Sequence, residues 1–246
     1  MSFRAEWAEF MTDWRNLKRF YKEAAAIKMD DGFSVALDGK PIKTPGKRNL
    51  VVPLEAIADA IAGEWQEQGE TIDVPAMAML RLAATSIDRV AINRAEVDAV
   101  TLKFAETDLL CYRAGEPPEL VARQIKSWQP LLDWAASYLQ APLVITDGIV
   151  PVIQPHEALS GLGAALTGLS DLEVTAVSGI AAATGSLVIG FAVKHGRLSP
   201  EDAANIGLLD ELFQMEQWGE DEITQERHSA IRQEINESAR FLELLS

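Results

Sequence analysis

Residues 174–193 contain no charged side chain: Val-Thr-Ala-Val-Ser-Gly-Ile-Ala-Ala-Ala-Thr-Gly-Ser-Leu-Val-Ile-Gly-Phe-Ala-Val. About 20 apolar residues suffice to cross a bilayer, so such a run either spans a membrane or is buried on all sides inside a protein. Gly179, Thr184, Gly185, Ser186 and Gly190 dilute its hydrophobicity, and no basic excess flanks either end. The reading that follows is one central helix, surrounded by other helices that the small residues allow to approach closely. Ser170 and Glu173 have the spacing of a capping box that would open it, and Lys194-His195-Gly196 would close it. No stable membrane insertion is expected.

A helix buried on every side needs a bundle, and the chain around it reads as helices. Residues 76–90 carry Met77, Leu80, Ala84 and Ile87 at helical spacing, and Asn93 with Glu96 would cap a helix running towards Asp108. Pro117 and Pro118 open another helix, with a kink or break expected at Pro130 before it ends near Tyr138. Pro155 opens one that reaches Thr167 or Gly168, and residues 224–245 form a last helix with Ile231, Ile235, Ala239 and Leu242 inside. Near the start, residues 6–16 suit a short helix showing Trp7, Phe10, Met11 and Trp14 on one side.

Between these helices and the start of the chain the apolar period changes from helical to alternating. Residues 26–29, 33–37, 40–44 and 49–52 read as short strands, punctuated by Asp31-Gly32, Asp38-Gly39 and Pro45-Gly46. Residues 53–68 form a helix that covers this meander. The extended connector 69–75 divides the chain, giving an N-terminal domain of residues 1–72 and a C-terminal helical bundle of residues 73–246. The fold class is α+β, a small antiparallel β-meander with a covering helix followed by a mainly α-helical orthogonal bundle.

The stretch with the most ambiguous surface is residues 199–219. Ser199 and Pro200 suit a helix start, and Gly219 suits a left-handed stop. Ala204, Leu208, Leu212 and Met215 form one apolar strip, and Ile206, Leu209 and Phe213 form a second. That surface is too wide for one neighbour. Asp210, Gln214 and Gln217 project from the other side, so part of this helix either packs among several others or faces a partner.

Charge and composition narrow the function. Lys and Arg number 22 against 37 Asp and Glu, a formal charge of -15, so the protein's field repels phosphate backbones and nucleic acid is excluded as an expected ligand. The single Cys111 permits no internal disulfide and reads as a core residue. The first residues lack the unbroken apolar core of a signal peptide, which suits a cytosolic or already processed chain. His156, His195 and His228 lie far apart, with no second ligand at i+3 or i+4, so no metal is expected. No nucleophile elbow and no phosphate-binding Gly-x-x-x-x-Gly-Lys loop occurs, and no cofactor is expected. Asp210 and Glu211 point about 100° apart on a helix and cannot clamp one substrate proton, although they can meet a partner's arginine or lysine. Trp65, Trp128, Trp134 and Trp218 read by default as core anchors.

Several segments together resemble a known family. They are Leu37-Asp38-Gly39-Lys40-Pro41-Ile42-Lys43-Thr44-Pro45, Glu64-Trp65, Thr85-Ser86-Ile87-Asp88, Thr107-Asp108-Leu109-Leu110-Cys111-Tyr112-Arg113 and Glu216-Gln217-Trp218-Gly219. In this order, over nearly the full length, they resemble the assembly chaperones of the F(1)-ATPase alpha subunit. The resemblance implies a non-enzymatic role: holding the unassembled alpha subunit, shielding the surface that later meets beta, and hydrolysing no ATP. It also implies a functional acidic residue in the helix before the Trp-Gly pair, a position matched here by Asp210. The expected client-binding set is Asp210, Glu211, Phe213, Gln214, Gln217 and Trp218, on a protein that is a monomer when free. A bacterial cytoplasm, or a mitochondrial matrix for a processed organellar protein, suits it. The alternative is a small-molecule enzyme using Asp210, Glu211 or Arg113 in an acidic cleft between the two domains.

Overall fold

The computed structural model describes residues 17–148, 150–219 and 221–246. The helix expected over residues 6–16 lies outside them. A small antiparallel sheet is followed by helices, the α+β class expected from sequence. The residues fall into two compact units, one reaching to Arg94 and including Arg240–Ser246, the other Ala95–Ala239. The boundary expected at 72/73 falls within the first.

In the first unit, strands β1 (Ala24–Met29), β2 (Gly32–Leu37) and β3 (Lys40–Pro41) form a sheet in sequence order. Ala24 pairs with Leu37 and Met29 with Gly32 in an antiparallel register. Asp38 and Gly39 both adopt positive φ, 49° and 78°, which a two-residue turn into β3 demands and which Asp-Gly tolerates. Main-chain N–H groups of Lys22 and Glu23 donate to the Asp38 carboxylate and hold it below its usual proton affinity. Strand β3 is shorter than expected, and a fourth strand does not form: only the isolated bridges Lys43 to Asn49 and Phe33 to Val52 mark it. The second bridge brings Val52 so close that a Cβ on Gly32 would sit 2.5 Å from the Val52 carbonyl oxygen.

Helix α1 (Glu55–Gln66) covers the sheet with Ile57, Ala58, Ile61, Ala62 and Trp65. Its Glu64 carboxylate accepts from the N–H groups of Met79 and Leu80, 2.7 and 2.9 Å, and so caps helix α2 (Ala78–Thr85). The expected helix 76–90 ends instead in a wider π-type turn, Ser86–Val90. That turn carries Asp88 to the basic loop after β3, where Thr44 Oγ1, Gly46 N and Arg48 Nη1 donate to it at 2.7 to 3.0 Å.

The second unit contains α4 (Pro118–Tyr138), α5 (His156–Thr167), α6 (Asp171–Thr184), α7 (Leu187–Lys194), α8 (Pro200–Gly207) and α9 (Leu209–Trp218). Helix α3 (Arg94–Glu106) leads into it and α10 (Glu222–Glu243) leaves it. Strands β4 (Tyr112–Arg113) and β5 (Thr146–Asp147) pair in parallel. The break expected at Pro130 is absent, because α4 runs through it. Pro130 and Lys126 are both exposed, so the carbonyl that loses its intrahelical donor faces water.

The uncharged run is buried except near its junction, where Ala182 is exposed and Ala183 and Gly185 are half-covered, and it is two helices, not one. Gly185 takes a left-handed conformation (φ 72°, ψ 15°) and Ser186 then caps α7 through Ile189 N. The capping box at Ser170 and Glu173 is complete in both directions. Asp108, fully buried, is the other reason for the break: its Oδ1 accepts from Leu110 N and its Oδ2 from Val188 N in the first turn of α7. Burial pushes this carboxyl up to about 6 despite those hydrogen bonds and one from Ser186. Close approach is real: a Cβ on Gly190 would lie 2.9 Å from the Val177 carbonyl oxygen. Among the described residues no helix is long and apolar enough to cross a membrane.

Candidate functional site: helix α9 and its braces

Residues 199–219 are two helices rather than one. Ser199 caps α8 through Asp202 N, and Gly207 at its end stands where a Cβ would be 3.0 Å from the Thr184 side chain. The chain turns at Leu208, which offers no side-chain cap, and restarts as α9. Trp218 ends α9, but Gly219 (φ 85°, ψ 177°) does not adopt the left-handed helical stop expected of it; its positive φ still favours glycine.

Of the two apolar strips expected on this stretch, Ala204, Leu208 and Phe213 are buried, and Ile206, Leu209, Leu212 and Met215 are partly covered. Phe213 is the one buried side chain of α9. The guanidinium of Arg123, from α4, lies 5.1 Å from its ring and bridges to Glu216 at 2.7 Å.

The two acidic residues at the start of α9 turn to different neighbours. Asp210 Oδ1 accepts from Gln124 Nε2 at 2.7 Å, and Gln124, 1% exposed, accepts Ala114 N through its own oxygen at 2.8 Å. Burial raises the Asp210 carboxyl, the Gln124 hydrogen bond and the charge of Arg113 pull it down, Glu211 pushes it up, and the balance is a raised proton affinity. Glu211 meets both Arg227 guanidinium nitrogens, 2.6 and 2.7 Å, and His228 Nε2 at 2.7 Å, all from α10. Burial raises its proton affinity, but these partners outweigh burial and hold it below the ordinary range. Beneath Asp210 lie two further buried groups. Trp128 donates from Nε1 to the Ile206 carbonyl at 3.1 Å, and Arg113 stacks over the Trp128 ring at 5.3 Å.

The outer side of α9 is different. Gln214 and Gln217 are exposed, Trp218 is 81% exposed, and Ile223 at the start of α10 is 80% exposed. So of the six residues expected in one client-binding set, Asp210, Glu211 and Phe213 engage the protein's own interior and neighbours, while Gln214, Gln217 and Trp218 face solvent. Trp65 and Trp128 are core anchors as expected, Trp134 is half-buried, and Trp218 departs from that default. Gln124, Arg123 and Arg227 were not picked out from sequence, because nothing in local spacing marks a partner 86, 93 or 16 residues away on another helix. Among the described residues no group of three or more His, Cys, Asp or Glu side chains is placed to hold a metal ion.

This architecture has known counterparts. A family model described as ATP12 chaperone protein matches residues 18–136. The mitochondrial protein atp12 of Schizosaccharomyces pombe is 24% identical over 216 residues, which cover 83% of this chain and 74% of that protein. The crystal structure of Atp12 from Paracoccus denitrificans superposes with a TM-score of 0.89 at 40% identity, covering 93% of this chain and 98% of that one. An aspartate-to-lysine mutant of the same P. denitrificans protein superposes equally well, at 39% identity. Identity at this level across nearly the whole of a solved Atp12 shows that the chain belongs to the ATP12 chaperone family, whose members are named as chaperones and not as enzymes.

Proposed function

We propose that this protein is a client-specific chaperone of ATP synthase assembly that binds the unassembled alpha subunit of the F(1) sector, prevents its aggregation and passes it on to beta. Family membership supports the class of activity. The observation that carries the choice of surface is Trp218, a large aromatic side chain 81% exposed at the end of a helix braced from behind by Arg123, Gln124 and Arg227. A tryptophan side chain brings a large contact area with few rotatable bonds to freeze on binding, and tryptophan is enriched among residues that dominate interface energetics.

Charge supports the same unit. Residues 95–239 hold 22 acidic and 8 basic side chains, whereas residues 17–94 with 240–246 hold 12 of each. The acidic helical unit favours encounter with a cationic client face, and the exposed apolar groups hold it after contact. In this reading the client is a protein, no cofactor or nucleotide is consumed, and the chaperone works as a monomer in a bacterial cytoplasm or a mitochondrial matrix.

Isolated alpha subunit diluted from denaturant aggregates and scatters light. The chaperone is expected to suppress that signal near a one-to-one ratio and to release alpha when beta is added. No suppression at that ratio overturns the proposal.

A further inference from the structure

Arg113 is 5% exposed, and its Nε and Nη1 groups are buried with no acceptor among the described residues; Nη2 reaches Gln129 Oε1 only at 3.4 Å. A buried guanidinium with unmatched donors is costly, and structures rarely retain one without a use. The carboxylate whose charge it feels is Asp210, which in turn feels Arg113, yet no hydrogen bond joins them. Asp210 instead spends Oδ1 on the amide of Gln124.

Helix α9 follows the uncapped turn at Leu208, buries Phe213, half-covers Leu209, Leu212 and Met215, and is clasped by long side chains, Arg123 to Glu216 and Arg227 to Glu211. Such contacts stretch and re-form without unpacking a core.

We infer that Asp210 and Arg113 are the two halves of a latch on α9. In the position described above Asp210 rests on Gln124; in the second it leaves Gln124 and closes on Nε and Nη1 of Arg113, drawing the start of the helix with it. Gln124 and Arg113 compete for one carboxylate, and the winner sets where Gln214, Gln217 and Trp218 stand. Arg113 is therefore a positioning residue for the exposed edge. Its consequence for a client rests on the function proposed above; the latch itself does not.

The test compares Gln124→Met with Arg113→Met by following the Asp210 side-chain carboxyl through a pH titration by carbon NMR, with Asp210→Asn assigning the signal. The charged groups around it are Arg113 from β4 and Glu211 on α9, the latter paired with Arg227 and His228 from α10. The latch predicts opposite signs. Gln124→Met frees Asp210 to close on Arg113, so its pKa falls; Arg113→Met removes the only cation coupled to it among the described residues, so its pKa rises while α9, with Gln124 unopposed, keeps its amide protection. A rise in both variants, as expected if each merely loses a favourable contact, overturns the latch. Should Arg113→Met fail to fold, the Gln124→Met titration decides alone: a lower pKa sustains the latch, an unchanged or higher one overturns it. Affinity for isolated alpha subunit, measured on Gln124→Met, reads the client consequence separately, so absence of binding by the parent protein refutes the proposed client and leaves the titration result standing.

Discussion

In α7 every residue from Leu187 to Val193 is buried and α6 packs directly against it, whereas α9, which follows after the intervening α8, fully buries Phe213 alone. Both regions begin with a break in a longer helical stretch, but the breaks differ in kind. At Gly185–Ser186 the interrupted main chain is repaired by a left-handed glycine, a serine cap and the buried carboxylate of Asp108. At Leu208 no side chain caps the restart, and α9 is held by Gln124, Arg123, Arg227 and His228 from two other helices. Apolar burial with satisfied polar groups fixes an element, while clasping by long polar side chains holds it and leaves its outer face free.

The contrast can be broken most directly in the core. Phe191→Ala is expected to cost about 3–5 kcal/mol in denaturant unfolding, since a fully buried ring is lost among side chains that cannot collapse around the gap. Phe213→Ala should cost less, because its ring packs against the guanidinium of Arg123, a side chain that is itself 47% exposed. Equal losses would erase the distinction between the two regions.

Asp108 sharpens it through pH. The folded chain holds this proton up to about pH 6, whereas an ordinary aspartate releases it near 3.8. In that window the folded state binds more protons than the unfolded state, so this group favours folding increasingly as pH falls from about 6 towards 4. The contribution is on the order of 2–3 kcal/mol. Unfolding of the parent chain and of Asp108→Asn between pH 4 and 7 should therefore show a difference that depends on pH in this sense; parallel curves would refute the assignment.

At α9 the effects should be smaller. Glu211→Ala removes the carboxylate shared by Arg227 and His228, and a loss of about 1 kcal/mol is expected because the Arg227 partner is half exposed. Hydrogen exchange should quicken in α9 before it does in α7. Smallest of all, Trp218→Ala should shift stability by less than about 0.5 kcal/mol, as befits a surface side chain. The same variant should weaken alpha-subunit binding about tenfold if Trp218 is an interface anchor. Destabilisation without loss of binding would reverse its role.

What could be read in the sequence was the chemistry that acts locally. The Ser170–Glu173 box, the Asp38–Gly39 turn and the Pro155 start depend on a few neighbouring residues, and each is found where its spacing places it. The core tryptophans Trp65 and Trp128 were legible from composition and pattern alone. Tertiary surroundings decided the rest. Pro130 sits in unbroken helix because the unmatched carbonyl faces water, and the uncharged run divides because Asp108, from a segment about eighty residues earlier, reaches the start of α7. At the candidate site the outward Gln214 and Gln217 were visible as a pattern, whereas the exposure of Trp218, read by default as a core anchor, was not. The inward commitments of Asp210 and Glu211 were not, since they depend on Gln124, Arg227 and His228, which no local period connects to them.

The divided run also bears on the order in which the chain is made. Helices of 14 and 8 residues are about 21 and 12 Å long, each well short of the hydrocarbon thickness of a bilayer. Asp108 has left the ribosome before the run appears, so the agent of its division is already present. Ser238, whose hydroxyl lies 3.1 Å from where a Cβ on Gly179 would stand, belongs to the final helix and arrives last. During synthesis, then, the most apolar segment of the chain is divided early but covered late, and a chain halted before α10 exposes the part of α6 that Ser238 normally closes.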